Sequence, residues 1–145
     1  LEMEKTAHEH KIRVVHIGRR DRLGKNIISA IERVQEETKE YSDFCVCLAV
    51  DYGGQDELLR AQERLSDSGD SSLSIKNFLD TTLFSVSDPD LIIRTGGESR
   101  TSGFMPLQST YSEWVFEKMM FPDFDKEAFK GALDEYGKRV RRFGK

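Results

Sequence analysis

Phe44 to Val50 is apolar from end to end, and this run constrains the fold more than any other feature. A strand with one wet face alternates apolar and polar residues. An unbroken apolar run predicts a strand buried on both faces, as in a parallel sheet. Ile12 to Ile17, rich in β-branched residues and closed by Gly18, predicts an earlier strand. Between the two, Ile27, Ala30, Ile31 and Val34 recur at helical spacing. Strand, helix, strand in that order is a βαβ unit with a right-handed crossover. The pattern then repeats. A helix is expected through Leu58, Leu59, Ala61 and Leu65, and Ser74 caps a short helix carrying Ile75, Phe78 and Leu79. Strands follow at Leu91 to Ile93 and Trp114 to Phe116. A short helix is expected near Pro106 to Tyr111, and a last one capped by Asp125 that holds Phe129, Leu133 and Tyr136 roughly on one side. The fold class is therefore α/β, with a mainly parallel central sheet and flanking helices.

The 145 residues suit one domain, 1–145, with one core. The net charge of −4 argues against bulk nucleic-acid binding, so any anion site must be built locally from a few arginines. No apolar run reaches the length of a membrane span, and no signal peptide opens the chain. Cys45 and Cys47 lack the spacing of a zinc or redox motif and read as reduced core thiols, which points to a cytoplasmic setting. His8 and His10 read as solvated, and His16 as a core or rim histidine.

Ligands of parallel sheets sit beyond the carboxyl ends of the strands. That rule selects the loops after Ile17, Val50 and Ile93. The third reads Arg94-Thr95-Gly96-Gly97-Glu98-Ser99-Arg100-Thr101-Ser102. Adjacent Gly96 and Gly97 let backbone N–H groups approach a ligand. Arg94 and Arg100 offer forked donors that match phosphate oxygens, and a helix beginning near Ser102 favours an anion at its N-terminus. The bland alternative is a solvated turn whose arginines pair with Glu98. Tyr52-Gly53-Gly54 and Gly18-Arg19-Arg20 lie in the other two loops. The first is a candidate wall of the cleft, and the second either steers an anion or is merely solvated. Glu113, at the start of an aromatic-rich strand, is a candidate Mg²⁺ ligand or an arginine partner.

The run Asp90-Leu91-Ile92-Ile93-Arg94-Thr95-Gly96-Gly97-Glu98, with Arg100, Ser102, Gln108, Tyr111, Glu113, Phe116 and Pro122-Asp123-Phe124, resembles the C-terminal signature of the cis-prenyltransferases. Tyr52-Gly53-Gly54 is similar to another block of that family, and Arg141 to Gly144 to its closing Arg-x-Gly motif. The family's N-terminal Asp-Gly-Asn-Gly-Arg-Trp segment has no counterpart here, so the resemblance implies a truncated cis-prenyltransferase fold. It implies an isopentenyl diphosphate site at Arg94, Gly96, Gly97, Arg100, Thr101 and Ser102. Arg142 and Gly144 would reach that site from the partner of a homodimer, and Glu113 would contribute to Mg²⁺. It implies isopentenyl and allylic diphosphates as substrates, and a protein that is cytoplasmic or peripheral to the membrane. No catalytic residue is assigned, because the family aspartate lies in the segment without a counterpart. The expected activity is polyprenyl diphosphate synthesis, with this chain inactive alone. The alternatives are a non-catalytic partner subunit, a decayed fragment, or another phospho-ligand enzyme.

Overall fold

The computed structural model describes residues 2–139. Helix α1 (Glu2–Glu9) leads into strand β1 (Ile12–Ile17). Helix α2 (Lys25–Thr38), strand β2 (Phe44–Ala49), helix α3 (Gly54–Ser68), a 3₁₀ turn (Ile75–Phe78) and the short helix α4 (Asp80–Leu83) follow. Strands β3 (Leu91–Arg94) and β4 (Glu113–Phe116), a 3₁₀ turn (Phe121–Asp123) and helix α5 (Lys126–Lys138) complete the order. The fold is α/β, as expected. Ladder hydrogen bonds join β1 to β2 and β3 to β4, both pairs parallel. The chain forms two compact units that divide between Ser87 and Asp88.

In the first unit β1 and β2 pair from Ile12 opposite Phe44 to Ile17 opposite Ala49. The α2 crossover turns Ile31, Val34 and Thr38 inward, and Ala7, Val14 and Val34 form a buried cluster with Ile12 and Leu48 against it. Helix α2 also closes the outer edge of β1. Val14 N–H donates to Thr38 Oγ1 at 3.0 Å, and His16 N–H donates to Gln35 Oε1 at 3.1 Å. The Thr38 hydroxyl itself donates to Val34 O. Side chains thus satisfy backbone donors that a neighbouring strand normally takes.

Strand β2 departs from the double-sided burial its composition predicts. Phe44, Cys45, Val46 and Ala49 are exposed, because β1 is its only strand partner among the described residues. Cys45 and Cys47 are therefore not core thiols. Cys45 is exposed and Cys47 half-buried, with desolvation pushing the Cys47 thiol up to about 11.

The loops of this unit converge on Asp80, at the start of α4. Its carboxylate accepts from Arg60 Nη1 and Nη2 at 3.1 and 3.0 Å, from Arg64 Nη1 at 3.0 Å and from Gly18 N–H at 3.1 Å. Its own N–H donates to Glu57 Oε1 at 2.9 Å, and Tyr52 Oη donates to Glu57 Oε2 at 2.6 Å. Both carboxylates are buried. Burial alone pushes the Asp80 carboxyl up, but the Arg60 guanidinium, the Gly18 amide and Arg64 together hold it below the ordinary range. Gly18 has φ +112°, and a Cβ there would lie 2.4 Å from Val50 O. Only glycine lets the loop after β1 pass this close to the end of β2.

In the second unit Leu91 pairs with Glu113 and Arg94 with Phe116. The helix expected near Pro106 to Tyr111 does not form; that connection is a series of turns. Ser102, Gly103 and Met105 all hold positive φ (50°, 70° and 45°), which a right-handed helix cannot accommodate. Met105 and Gln108 are nonetheless buried, so the turns themselves fill space. Trp114 and Phe116 stack with ring centroids 5.7 Å apart. Asp125 Oδ1 caps α5 by accepting Ala128 N–H at 2.9 Å. Helix α5 buries Ala132, while Phe129 and Leu133 stay exposed.

Two outcomes follow for stability. Asp80→Ala leaves two guanidinium groups facing a buried void and should cost about 3–5 kcal/mol in urea unfolding. The depressed Asp80 carboxyl contributes stability that is in full force above the unfolded carboxylate value of about 3.9. It is lost as pH falls through the lower folded value. The urea midpoint of the native chain should therefore drop on acidification. Gly18→Ala should cost about 2 kcal/mol or more, from clash and strain together. Gly69→Ala, also at positive φ but with nothing within 4 Å, should cost only about 1 kcal/mol in the same unfolding experiment.

Candidate anion-binding loop

The loop after β3 brings several of the expected residues together. Arg94 ends β3, and its guanidinium turns back across the loop. Nη1 donates to Ser102 Oγ at 3.0 Å and to the carbonyl of Arg100. Arg100 Nη1 donates to Glu98 Oε2 at 2.5 Å, and that pair is exposed. Thr101 contributes its carbonyl, which accepts Phe104 N–H at 3.0 Å. Two guanidiniums and a hydroxyl therefore lie on one short segment.

The glycines work differently from the expectation. Gly96 N–H donates to Met119 O at 2.8 Å, and Gly97 N–H donates to Glu117 O at 2.9 Å. Their φ values of 94° and 78° fold the loop back onto the exit of β4. Their amides hold the loop in place and do not face a ligand. No helix begins at Ser102, so no helix N-terminus supports the anion either. What remains for a ligand is side-chain chemistry: Arg94, Arg100 and Ser102.

Glu113 sits elsewhere. It opens β4 opposite Leu91, three residues upstream of Arg94, hence about 10 Å along the strand pair from it. Its Oε2 accepts Arg139 Nη1 at 2.8 Å, and Arg139 Nη2 also donates to Glu135 Oε1. These two carboxylates raise the Arg139 pKa. No cluster of three or more His, Cys, Asp or Glu able to hold a metal ion occurs among the described residues. On their own these residues do not build a metal site. Arg142 and Gly144 lie outside the described residues.

Tyr52, Gly53 and Gly54 serve the first unit. Gly53 precedes α3, Gly54 is buried in its first turn, and Tyr52 is tied to Glu57. Arg19 is held by Asp21 and Asp56 at 2.7 and 3.0 Å. Glu57, Arg60 and Asp80 were not legible as a network. Asp80 lies 20 residues beyond Arg60 and 23 beyond Glu57, so no contiguous motif joins the three.

The model of a family described as putative undecaprenyl diphosphate synthase matches residues 1–144. An isoprenyl transferase of Aquifex aeolicus is 38% identical over 135 residues, covering 92% of this chain and 58% of that protein. The chain thus spans less than two thirds of the length of this curated relative. The crystal structure of a probable undecaprenyl diphosphate synthase from Campylobacter jejuni superposes with a TM-score of 0.86 at 32% identity, covering 99% of this chain and 68% of that one. Lavandulyl diphosphate synthase from Lavandula x intermedia, solved with dimethylallyl diphosphate, superposes with a TM-score of 0.90 at 26% identity, covering 99% and 65%.

Proposed function

The chain belongs to the undecaprenyl diphosphate synthase family of prenyltransferases, and we propose that it carries the isopentenyl diphosphate half of a cis-prenyl transfer site. The observation that carries this reading is the placement of Arg94, Arg100 and Ser102 on one loop, with Arg94 Nη1 3.0 Å from Ser102 Oγ. A diphosphate wants forked cations and a hydroxyl donor, and these three supply both. The Glu98–Arg100 pair is exposed and of the kind worth at most about 1 kcal/mol, so a diphosphate outcompetes it for Arg100.

In the proposed reaction the C–O bond of an allylic diphosphate breaks, and its electron pair leaves with the diphosphate. The isopentenyl double bond attacks that carbon, forming a C–C bond, and loss of a proton leaves a cis double bond. The contribution of Arg94, Arg100 and Ser102 is to fix the nucleophile at reacting distance. Mg²⁺ offsets diphosphate charge in chemistry of this type. Glu113 is the carboxylate that would help to hold it, once released from Arg139. Gly96, Gly97 and Thr101 shape the loop. Arg142 and Gly144 complete the proposed site across a homodimer. No helix of the described residues is long and apolar enough to cross a membrane, which is compatible with a cytoplasmic or peripheral enzyme.

Calorimetric titration with isopentenyl diphosphate tests the site. Arg94→Ala should weaken binding about ten- to hundred-fold, the size of a charge-assisted hydrogen bond. Unchanged affinity would remove the reading. The 145-residue chain given farnesyl diphosphate, isopentenyl diphosphate and Mg²⁺ should form little or no polyprenyl product, since it spans only 58% of the length of the Aquifex aeolicus isoprenyl transferase. Robust incorporation of labelled isopentenyl diphosphate would contradict this.

A further inference from the structure

Glu113, read above as a carboxylate that would help to hold Mg²⁺, is closed by an arginine in this structure. We propose that the contact between Arg139 and Glu113 is an autoinhibitory gate, which keeps metal from the carboxylate until Arg139 gives it up. The inference rests on that reading of Glu113 and adds the regulation of the same site. Glu113 opens β4, and Arg139 is the first residue past α5, with extended backbone (φ −83°, ψ 139°). Arg139 Nη1 donates to Glu113 Oε2 at 2.8 Å, and Arg139 Nη2 donates to Glu135 Oε1. One guanidinium thus spans two carboxylates, one from the strand and one from the helix.

A cation in that place is what the carboxylates demand. Two carboxylates and one guanidinium leave the trio with one net negative charge, and without Arg139 the charge would be two. Mg²⁺ is commonly held by one or two carboxylates, with waters and phosphate oxygens completing its shell. A guanidinium and a metal ion therefore compete for the same oxygens. Arg139 competes through a forked grip: Glu135 holds one arm, so the other arm stays on Glu113.

The grip is also reversible. The side chains of Arg139 and Glu113 are 33% and 27% exposed, so water reaches the pair. An ion pair this open is a weak one. Glu113 Oε1 makes no hydrogen bond among the described residues, which leaves one oxygen on which exchange can begin. Release of the guanidinium leaves the Arg139 N–H bond to Tyr136 O, at 3.0 Å, intact, and with it the end of α5. The gate therefore opens by a side-chain swing and needs no unfolding. A contact that only tied α5 to β4 would not yield to metal, so the two readings differ in what Mg²⁺ does to Arg139.

The test is NMR of the 145-residue chain, reading the Glu113 side-chain carboxyl carbon and the Arg139 Nε–H. Magnesium chloride is titrated at constant ionic strength, first alone and then with isopentenyl diphosphate but no allylic co-substrate, so that no reaction occurs. Both signals should move with one Mg²⁺ midpoint. Arg139→Gln should lower the midpoint read at Glu113 about five- to ten-fold, the worth of a partly exposed, charge-assisted hydrogen bond. Lys138→Gln removes the same charge from an exposed neighbour with no ion pair among the described residues, and should lower the midpoint less than about two-fold. The remaining signals report that each variant is folded. An unchanged midpoint in Arg139→Gln, an equal fall in both variants, or an Arg139 signal unmoved while Glu113 titrates would each overturn the gate and leave Glu113 as a metal carboxylate. A Glu113 signal silent to Mg²⁺ in the native chain and in Arg139→Gln alike would remove the reading of Glu113 itself, and the gate with it.

Discussion

Asp80 is the point on which the first unit depends. A carboxylate so deeply buried is stable as an anion only if cations and amide donors replace the water it has lost. Arg60, Arg64 and the Gly18 amide do so, and each brings a different part of the chain to the same place. Gly18 anchors the loop after β1, and Arg60 and Arg64 anchor α3. The Asp80 amide returns the constraint to Glu57, and through it to Tyr52 in the loop after β2. The carboxyl ends of both strands are thereby set by one charge-balanced network.

In the second unit backbone hydrogen bonds hold the loop after β3, and the proposed anion site rests on its side chains. The amides of Gly96 and Gly97 bond to Glu117 and Met119, so the loop is held to the exit of β4 before any ligand arrives. Arg94 is oriented by Ser102 and by the carbonyl of Arg100. A guanidinium already aimed loses less freedom when it meets a diphosphate, and preorganisation of this kind raises affinity without new contacts. Glu113, at the other end of the strand pair and held by Arg139, is positioned independently of that loop.

Much of this was legible in the residues. The β-branched and apolar runs located all four strands, and helical spacing located α2, α3 and α5, because burial imposes a period that side chains must follow. Asp125 and Ser74 marked helix starts through the chemistry of unsatisfied amides. The ordered motif from Asp90 to Phe124 identified the family. Other readings failed for reasons a linear pattern cannot contain. Phe44 to Val50 looked doubly buried because its composition is apolar, but a strand's burial is decided by what lies beside it. The segment 106–111 looked helical, yet left-handed residues at 102, 103 and 105 turn the chain away from a helix.

By itself, the sequence determined the α/β alternation, the parallel pairing it requires, the family, and the residues of the proposed diphosphate loop. These depend on local periodicity and on motifs contiguous along the chain. Only the tertiary structure decided where the hydrogen bonds go. It gave the Gly96 and Gly97 amides to the backbone of Glu117 and Met119, placed Glu113 against Arg139, and left His16 Nδ1 without a partner. It also gathered Glu57, Arg60 and Asp80 into one buried network. The physical reason is that a polar group's role depends on which donors and acceptors fold up to it. Those partners come from residues up to 62 positions apart, as between Gly18 and Asp80.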